Sequence, residues 1–263
     1  MKIIKFIPFG GRKKLMPPSV SKIPQWWRDG ELVLSQGEPG LKSCVPFMEV
    51  MMSGYTINLP FDLFVSKNEE GNTSIKWNAP GHNGWPNFIE ERPKELGETI
   101  PRPAGHLPNG FIWAGQWSWK TPKGYSALVT HPFNRFDLPF TTLSATMDAD
   151  KFYGNGNVPF FLKEDFQGVI PAGTPIIQIF PYKRDKWKSW VDDSEIERIN
   201  EKQLINLRTP EGSYKKRFWV KKVGWATAGP PSLVAQVGTQ CKNICLKKSA
   251  LWPGRPAWCR LAR

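Results

Sequence analysis

The stretch Phe166–Arg184, FQGVIPAGTPIIQIFPYKR, decides how the rest of the chain is read. Gly168 loosens the backbone, Ile170-Pro171-Ala172-Gly173 places Pro early and Gly late in a turn, and Pro175 fixes the entry to an apolar run. A strand is expected to follow. Ile176, Gln178 and Phe180 then face one way and Ile177 and Ile179 the other, so the strand is buried on both sides, with one amide among its apolar side chains. That amide needs a hydrogen-bonding partner, because an unpaired buried amide costs about 1–3 kcal/mol.

Working outward, the 263 residues suffice for one domain with a substantial core and attached arms. The 25 Pro and 23 Gly interrupt helices and end strands, which points to short strands joined by turns and a mainly β protein. No apolar run approaches the roughly eighteen residues of a membrane helix, and the opening MKIIKFIPFGGRKK is broken by Lys5 and Pro8. The expectation is a chain that is neither secreted nor membrane-spanning. Four cysteines, Cys44, Cys241, Cys245 and Cys259, are too few and too unevenly spaced for a disulfide framework, which implies a reducing environment. The last three lack CxxC spacing and a nearby histidine, so no metal site is expected of them.

The net charge of +13 suggests nucleic acid, an anionic surface or a phosphorylated ligand as partner. Residues 241–263 hold six basic side chains and no acid, and they lack helical or strand periodicity; the segment reads as a basic tail, disordered or foreign to the native chain.

Residues 1–40 combine basic clusters, prolines and the pair Trp26-Trp27, and read as an extended arm that either closes over the core or a neighbouring subunit, or anchors a ligand. Residues 41–190 are expected to form the β core. Within them CVPFMEVMMSGYTINLPFDLFV, from Cys44, reads as two strands with a Ser53-Gly54 turn or bulge, and NEEGN at 68–72 as a hairpin turn before SIKWN. Ala79 to Leu107 reads as a long surface loop in which His82 and His106 are solvated. FIWAGQWSWK alternates, with Phe111, Trp113, Trp117 and Trp119 on one strand face, a pattern of core packing with a base- or sugar-stacking platform as the alternative. Residues 191–240 are expected to complete the domain with a helix opened by a Ser194/Glu197 capping box, and with YKKRFWVKK at 214–222 as a strand or a nucleic-acid-binding segment.

Gly173-x-x-Ile176-x-Gln178-Ile179 resembles a strand of the dUTPase and dCTP deaminase family, and the upstream order is kept: Gly124-Tyr125-Ser126-Ala127-Leu128, then Ala145-Thr146-Met147-Asp148, then Tyr153-Gly154. The resemblance covers residues 124–184. It implies a distorted β-barrel or jelly-roll-like sandwich, with Asp148 as the group that orients water, Asn134 and Arg135 near phosphate, Tyr153 in the ligand site, Mg²⁺ bridging phosphates, and a trimer whose sites lie between subunits. His131-Pro132-Phe133-Asn134-Arg135 stands where that family has Pro-Arg-Ser, and no glycine-rich closing loop follows. Over residues 17–222 the chain also resembles uncharacterised proteins encoded by marine phages and some bacteria, through the C-x-P-F…S-G-Y pattern from Cys44, GYSALVTHPFNR and FPYKRDKW. This implies the host cytoplasm or a virion as its location.

Aromatic anchors without a complete catalytic set favour a non-enzymatic binding or assembly role, with self-association, a protein partner or a phosphorylated ligand. The alternative is a dUTPase-like nucleotide pyrophosphohydrolase, the only reading that calls for a cofactor, Mg²⁺. Nucleic-acid binding through the basic surface is the third.

Overall fold

A computed structural model describes residues 2–9, 16–37, 40–79, 88–93, 95, 98–154, 156–208 and 213–220, all within one compact unit spanning residues 1–226. The expectations placed on His82 and on the tail 241–263 lie outside the described residues. Fourteen strands among the described residues form four antiparallel sheets, none closed on itself. The central five-stranded sheet runs β11 (Ala145–Met147), β9 (Tyr125–Thr130), β14 (Pro175–Lys183), β3 (Tyr55–Asn58) and β2 (Ser19–Val20). A four-stranded sheet runs β10 (Phe140–Thr142), β12 (Val158–Leu162), β7 (Phe111–Trp113) and β6 (Ile89–Glu91). A three-stranded sheet has β4 (Leu63–Lys67) between β13 (Gly168–Ile170) and β5 (Thr73–Trp77), and β1 (Lys5–Pro8) pairs with β8 (Trp117–Lys120). No helix among the described residues is long and apolar enough to cross a membrane.

The stretch Phe166–Arg184 forms the strand its pattern demands. Gly173, at φ 84°, turns the chain, with the Thr174 N–H donating to Pro171 O at 3.1 Å. β14 then lies between β9 and β3, and Ile176, Ile177, Gln178 and Ile179 are all buried. The core beside it is aromatic: Trp113 stacks on Phe160 at 3.7 Å, and Phe140 meets Trp113 edge-on at 5.1 Å. The Trp113 indole N–H donates to Thr142 Oγ1, whose hydroxyl donates to Ile176 O, so one threonine joins the two larger sheets.

Five local expectations are corrected. Val45–Met52 is a helix, with Pro46 in its first turn and Val45 and Met51 buried, rather than a strand; Pro is pre-organised for a helix start, and Met48, Glu49, Met51 and Met52 are all good helix formers. FIWAGQWSWK is two strands in different sheets, β7 and β8, broken at Ala114-Gly115-Gln116, although all four of its large aromatics are buried as core packing requires. The 79–107 region contains β6, and His106 is 6 % exposed, its Nδ1 on Ala104 O and Nε2 on Thr141 Oγ1, both at 3.0 Å. The helix Ile196–Arg208 forms, but the Ser194 N–H and hydroxyl both bond Asp192, an Asx turn in place of the capping box. Ser213–Arg217 is a short helix where a strand was expected, and the Trp219 indole N–H beyond it donates to Glu49. The hairpin over 68–72 forms as read: Gly71 takes φ 80° and Asn68 Oδ1 accepts the Asn72 N–H. The arm is part of the fold, supplying β1, β2 and a helical turn, Gln25–Asp29, whose Trp27 is buried.

Candidate functional site

A groove runs between the arm segment 19–27 and the loop that follows β9. The loop is built by two turns, Arg135 N–H to Pro132 O at 3.1 Å and Leu138 N–H to Arg135 O at 3.2 Å. Asn134 sits in the first at φ 58°, the only left-handed non-glycine among the described residues, a conformation Asn tolerates better than most side chains. The buried Gln178 and the half-buried His131 hold this loop from below. Gln178 Oε1 accepts the Phe133 N–H at 2.8 Å, while Nε2 donates to Ser53 O at 2.5 Å and Val50 O at 3.2 Å. His131 Nδ1 accepts the Thr142 N–H at 3.3 Å, which leaves Nε2–H to donate to Arg135 O at 3.0 Å and fixes the neutral tautomer. Burial, the largest cause, pushes the His131 pKa down; the bond to Arg135 O and the Asp137 charge oppose it, while the charges of Arg135 and Lys163 add to it.

The groove has two recesses of different chemistry. One, of 210 Å³, is mixed: Ser19, Ser21, Thr56 and Asn58 line it with Lys22 and Arg135, over Gln178, together with apolar Ile23, Met51 and Phe133. Ser19 Oγ bonds Thr56 Oγ1 at 3.2 Å and accepts from Asn58 Nδ2 at 3.0 Å. The other, of 370 Å³, is lined by Trp26, Leu41, Phe47, Asn134, Phe136 and Asp137. Arg135 and Asp137 form a forked ion pair at the boundary, Nε and Nη2 each at 2.8 Å from a carboxylate oxygen. Burial raises the Asp137 pKa, but the hydrogen bonds and charge of Arg135, with a contact from Trp26, outweigh it and hold the carboxyl below its usual range.

The second concentration of charge lies beside the first residues of β9. Asp148 Oδ1 accepts from the Ser126 hydroxyl at 2.6 Å and from Arg184 Nη1 at 3.1 Å; Arg184 also grips Asp150, and Asp150 Oδ2 accepts the Gly124 N–H at 2.8 Å. The Ser126 hydroxyl, and after it Arg184, hold the Asp148 carboxyl below its ordinary pKa. Asp150 is held far lower, first by Arg184 and then by Gly124.

The site residues anticipated from sequence are thus divided between these two places. Asn134, Arg135 and Trp26 belong to the groove, and Trp27 is buried beneath it, edge-on to Trp26 at 5.8 Å. Asp148 pairs with Arg184, and Arg135 with Asp137. Tyr153, exposed, follows the Asp148 turn and has Lys120 Nζ 4.6 Å from its ring centre. Among the described residues no group of three or more His, Cys, Asp or Glu gathers as a metal site. Sequence reasoning missed Phe136, Phe47 and Leu41, the first inside HPFNRFDLPF and the last two in or before the helix read as a strand, and it missed Arg184 at the very end of the decisive strand segment.

No protein-family model matches the chain, and no curated protein matches it.

Proposed function

We propose that the protein acts by binding rather than catalysis, as a recognition or assembly component whose ligand or partner occupies the groove between the arm and the 131–138 loop. The observation that supports this reading is the exposure of Trp26, Leu41, Phe47 and Phe136, at 37, 54, 45 and 81 %, around one recess. Large apolar side chains gathered into one surface patch are a mark of interaction sites. The likeness to phage-encoded proteins extends the proposal to an accessory or virion component that self-associates, in a barrel of the dUTPase type. The competing hydrolase needs Asp148 as general base, and its lowered pKa makes it a weaker base than a free carboxylate.

Two measurements test this. Incubation with dUTP and Mg²⁺ is expected to release no pyrophosphate; release that disappears in Asp148→Asn overturns the non-enzymatic reading. A thermal-shift screen of small ligands against the wild type and a Trp26→Ser/Phe136→Ser variant is expected to give binders that the variant loses. Binders indifferent to those substitutions would move the site elsewhere.

A further inference from the structure

The apolar recess differs in charge from the chain around it. The protein carries a net +13, yet among the described residues this lining has three aromatic side chains, one carboxylate, Asn134 and Leu41, and neither Lys nor Arg. Aromatic faces are negative and attract cations, so Trp26, Phe47 and Phe136 favour a cation; Lys163 Nζ donates to the Phe136 carbonyl at 3.1 Å from outside the lining. Arg135 does not reverse this. It takes Asp137 from the polar side, lining the neighbouring recess and not this one, and keeps the carboxylate ionised. An anion would face rings and a carboxylate at once. A primary ammonium would give up strong hydration to enter; an alkylated one gives up little and offers methyl groups to the rings. The 370 Å³ volume falls in the range of small-molecule sites, about 300–1,000 Å³.

Building on the binding role above, we propose that this recess is an aromatic cage for a small quaternary ammonium ion, with Trp26, Phe47 and Phe136 as its walls and the Arg135-paired Asp137 carboxylate at its edge. Phe136, 81 % exposed and two residues after the left-handed Asn134, is the most exposed of these walls.

The test is a titration with choline and with its uncharged isostere, in which carbon replaces the charged nitrogen, followed by tryptophan fluorescence and calorimetry on the full chain. Choline is expected to bind about tenfold more tightly than the isostere. Phe136→Leu and Trp26→Leu keep the recess apolar and are expected to bring that ratio close to one; Phe136 is too exposed for its replacement to endanger the fold. Equal binding of both compounds overturns the cage and leaves the groove as a binding site. Binding of a trimethyl-lysine peptide without binding of choline overturns the small-ion assignment in favour of a protein partner. If neither choline nor the peptide binds while other screen hits still vanish in Trp26→Ser/Phe136→Ser, the cage alone is wrong; if no hit depends on those residues, the groove reading falls with it.

Discussion

Two buried glutamines should respond in opposite ways to the same substitution, and the difference can be worked from their partners. Gln178 is 1 % exposed and makes three hydrogen bonds that tie the 131–138 loop to the end of the Val45–Met52 helix. In Gln178→Leu the two carbonyls keep a donor each, since Ser53 N–H still reaches Val50 O at 3.2 Å and Ser21 Oγ still reaches Ser53 O at 3.0 Å. The Phe133 N–H keeps nothing. The Phe133 N–H is half-buried beside the 210 Å³ recess, so orphaning it costs about 1–2 kcal/mol, and losing the remaining bonds adds about 1 kcal/mol; the expected loss is about 2–3 kcal/mol, or about 4–12 °C in Tm for a domain of this size. Gln116 is 3 % exposed, and neither its Oε1 nor its Nε2 has a partner among the described residues. Gln116→Leu removes a desolvated amide without breaking a bond, so its effect should lie within about 1 kcal/mol and lean towards stabilisation. Urea unfolding followed by tryptophan fluorescence reads both. Gln178→Leu within about 0.5 kcal/mol of wild type, or equal losses for the two variants, would refute the reasoning.

A Gln178→Glu variant sharpens it. Burial opposite two carbonyls raises that carboxyl's folded pKa above the unfolded value of about 4.3, so its neutral form, able to donate to Ser53 O, is present at low pH and lost as pH rises. The deficit relative to wild type should therefore shrink on acidification.

Three further outcomes are expected. His131 has a folded pKa below its ordinary value of about 6.5, so its stabilisation is complete above that pH and is lost as pH falls towards the folded value; His131→Gln should flatten the fall in Tm between about pH 7 and 5, and an unchanged slope would exclude His131 as its source. Asp150, depressed first by Arg184, contributes above about pH 3.9 and loses that contribution on further acidification, so Asp150→Asn should flatten the acid limb of a denaturation curve at lower pH. Gly54 and Gly71 both have positive φ, but a Cβ on Gly54 would collide with Ile179 O while one on Gly71 meets nothing within 4 Å; Gly71→Ala should cost about 1 kcal/mol and Gly54→Ala clearly more, measured by the same urea titration.

What was legible in the sequence is what local pattern alone controls. Period-two alternation, Pro-Ala-Gly and Asn-Glu-Glu-Gly-Asn located β14, its turn and the β4–β5 hairpin, and the demand of one amide for partners anticipated the Gln178 bonds. Val45–Met52 misled because eight residues with Pro, Phe, two Val and three Met satisfy strand composition as well as helix composition, and burial of Val45 and Met51 arbitrates only after folding. Phe47 was lost to the candidate site by that same ambiguity. FIWAGQWSWK alternates across Gly115 as if it were one strand, since side-chain parity survives a break that sends the two halves to different sheets. The motif order from Gly124 to Arg184 was read as one site, yet order along a chain says nothing about which end of a strand a residue adjoins.

Position along β14 bears directly on catalysis. The loop carrying Arg135 is held by Gln178, and Asp148 is held by Arg184, six residues further along the same strand direction, about 20 Å in extended chain. A base that activates water must lie within one water of the reacting atom, so the hydrolase reading requires Arg135 and Asp148 to reach one phosphate across that spacing. A second residue supplied by a neighbouring subunit would meet that requirement. Mixing Arg135→Ala with Asp148→Asn would then create some interfaces with both residues intact and restore pyrophosphate release from dUTP that neither variant shows alone. The expected result is no release from the wild type, either variant or the mixture; restoration on mixing would demonstrate a shared site and replace the binding role with catalysis in an assembled oligomer.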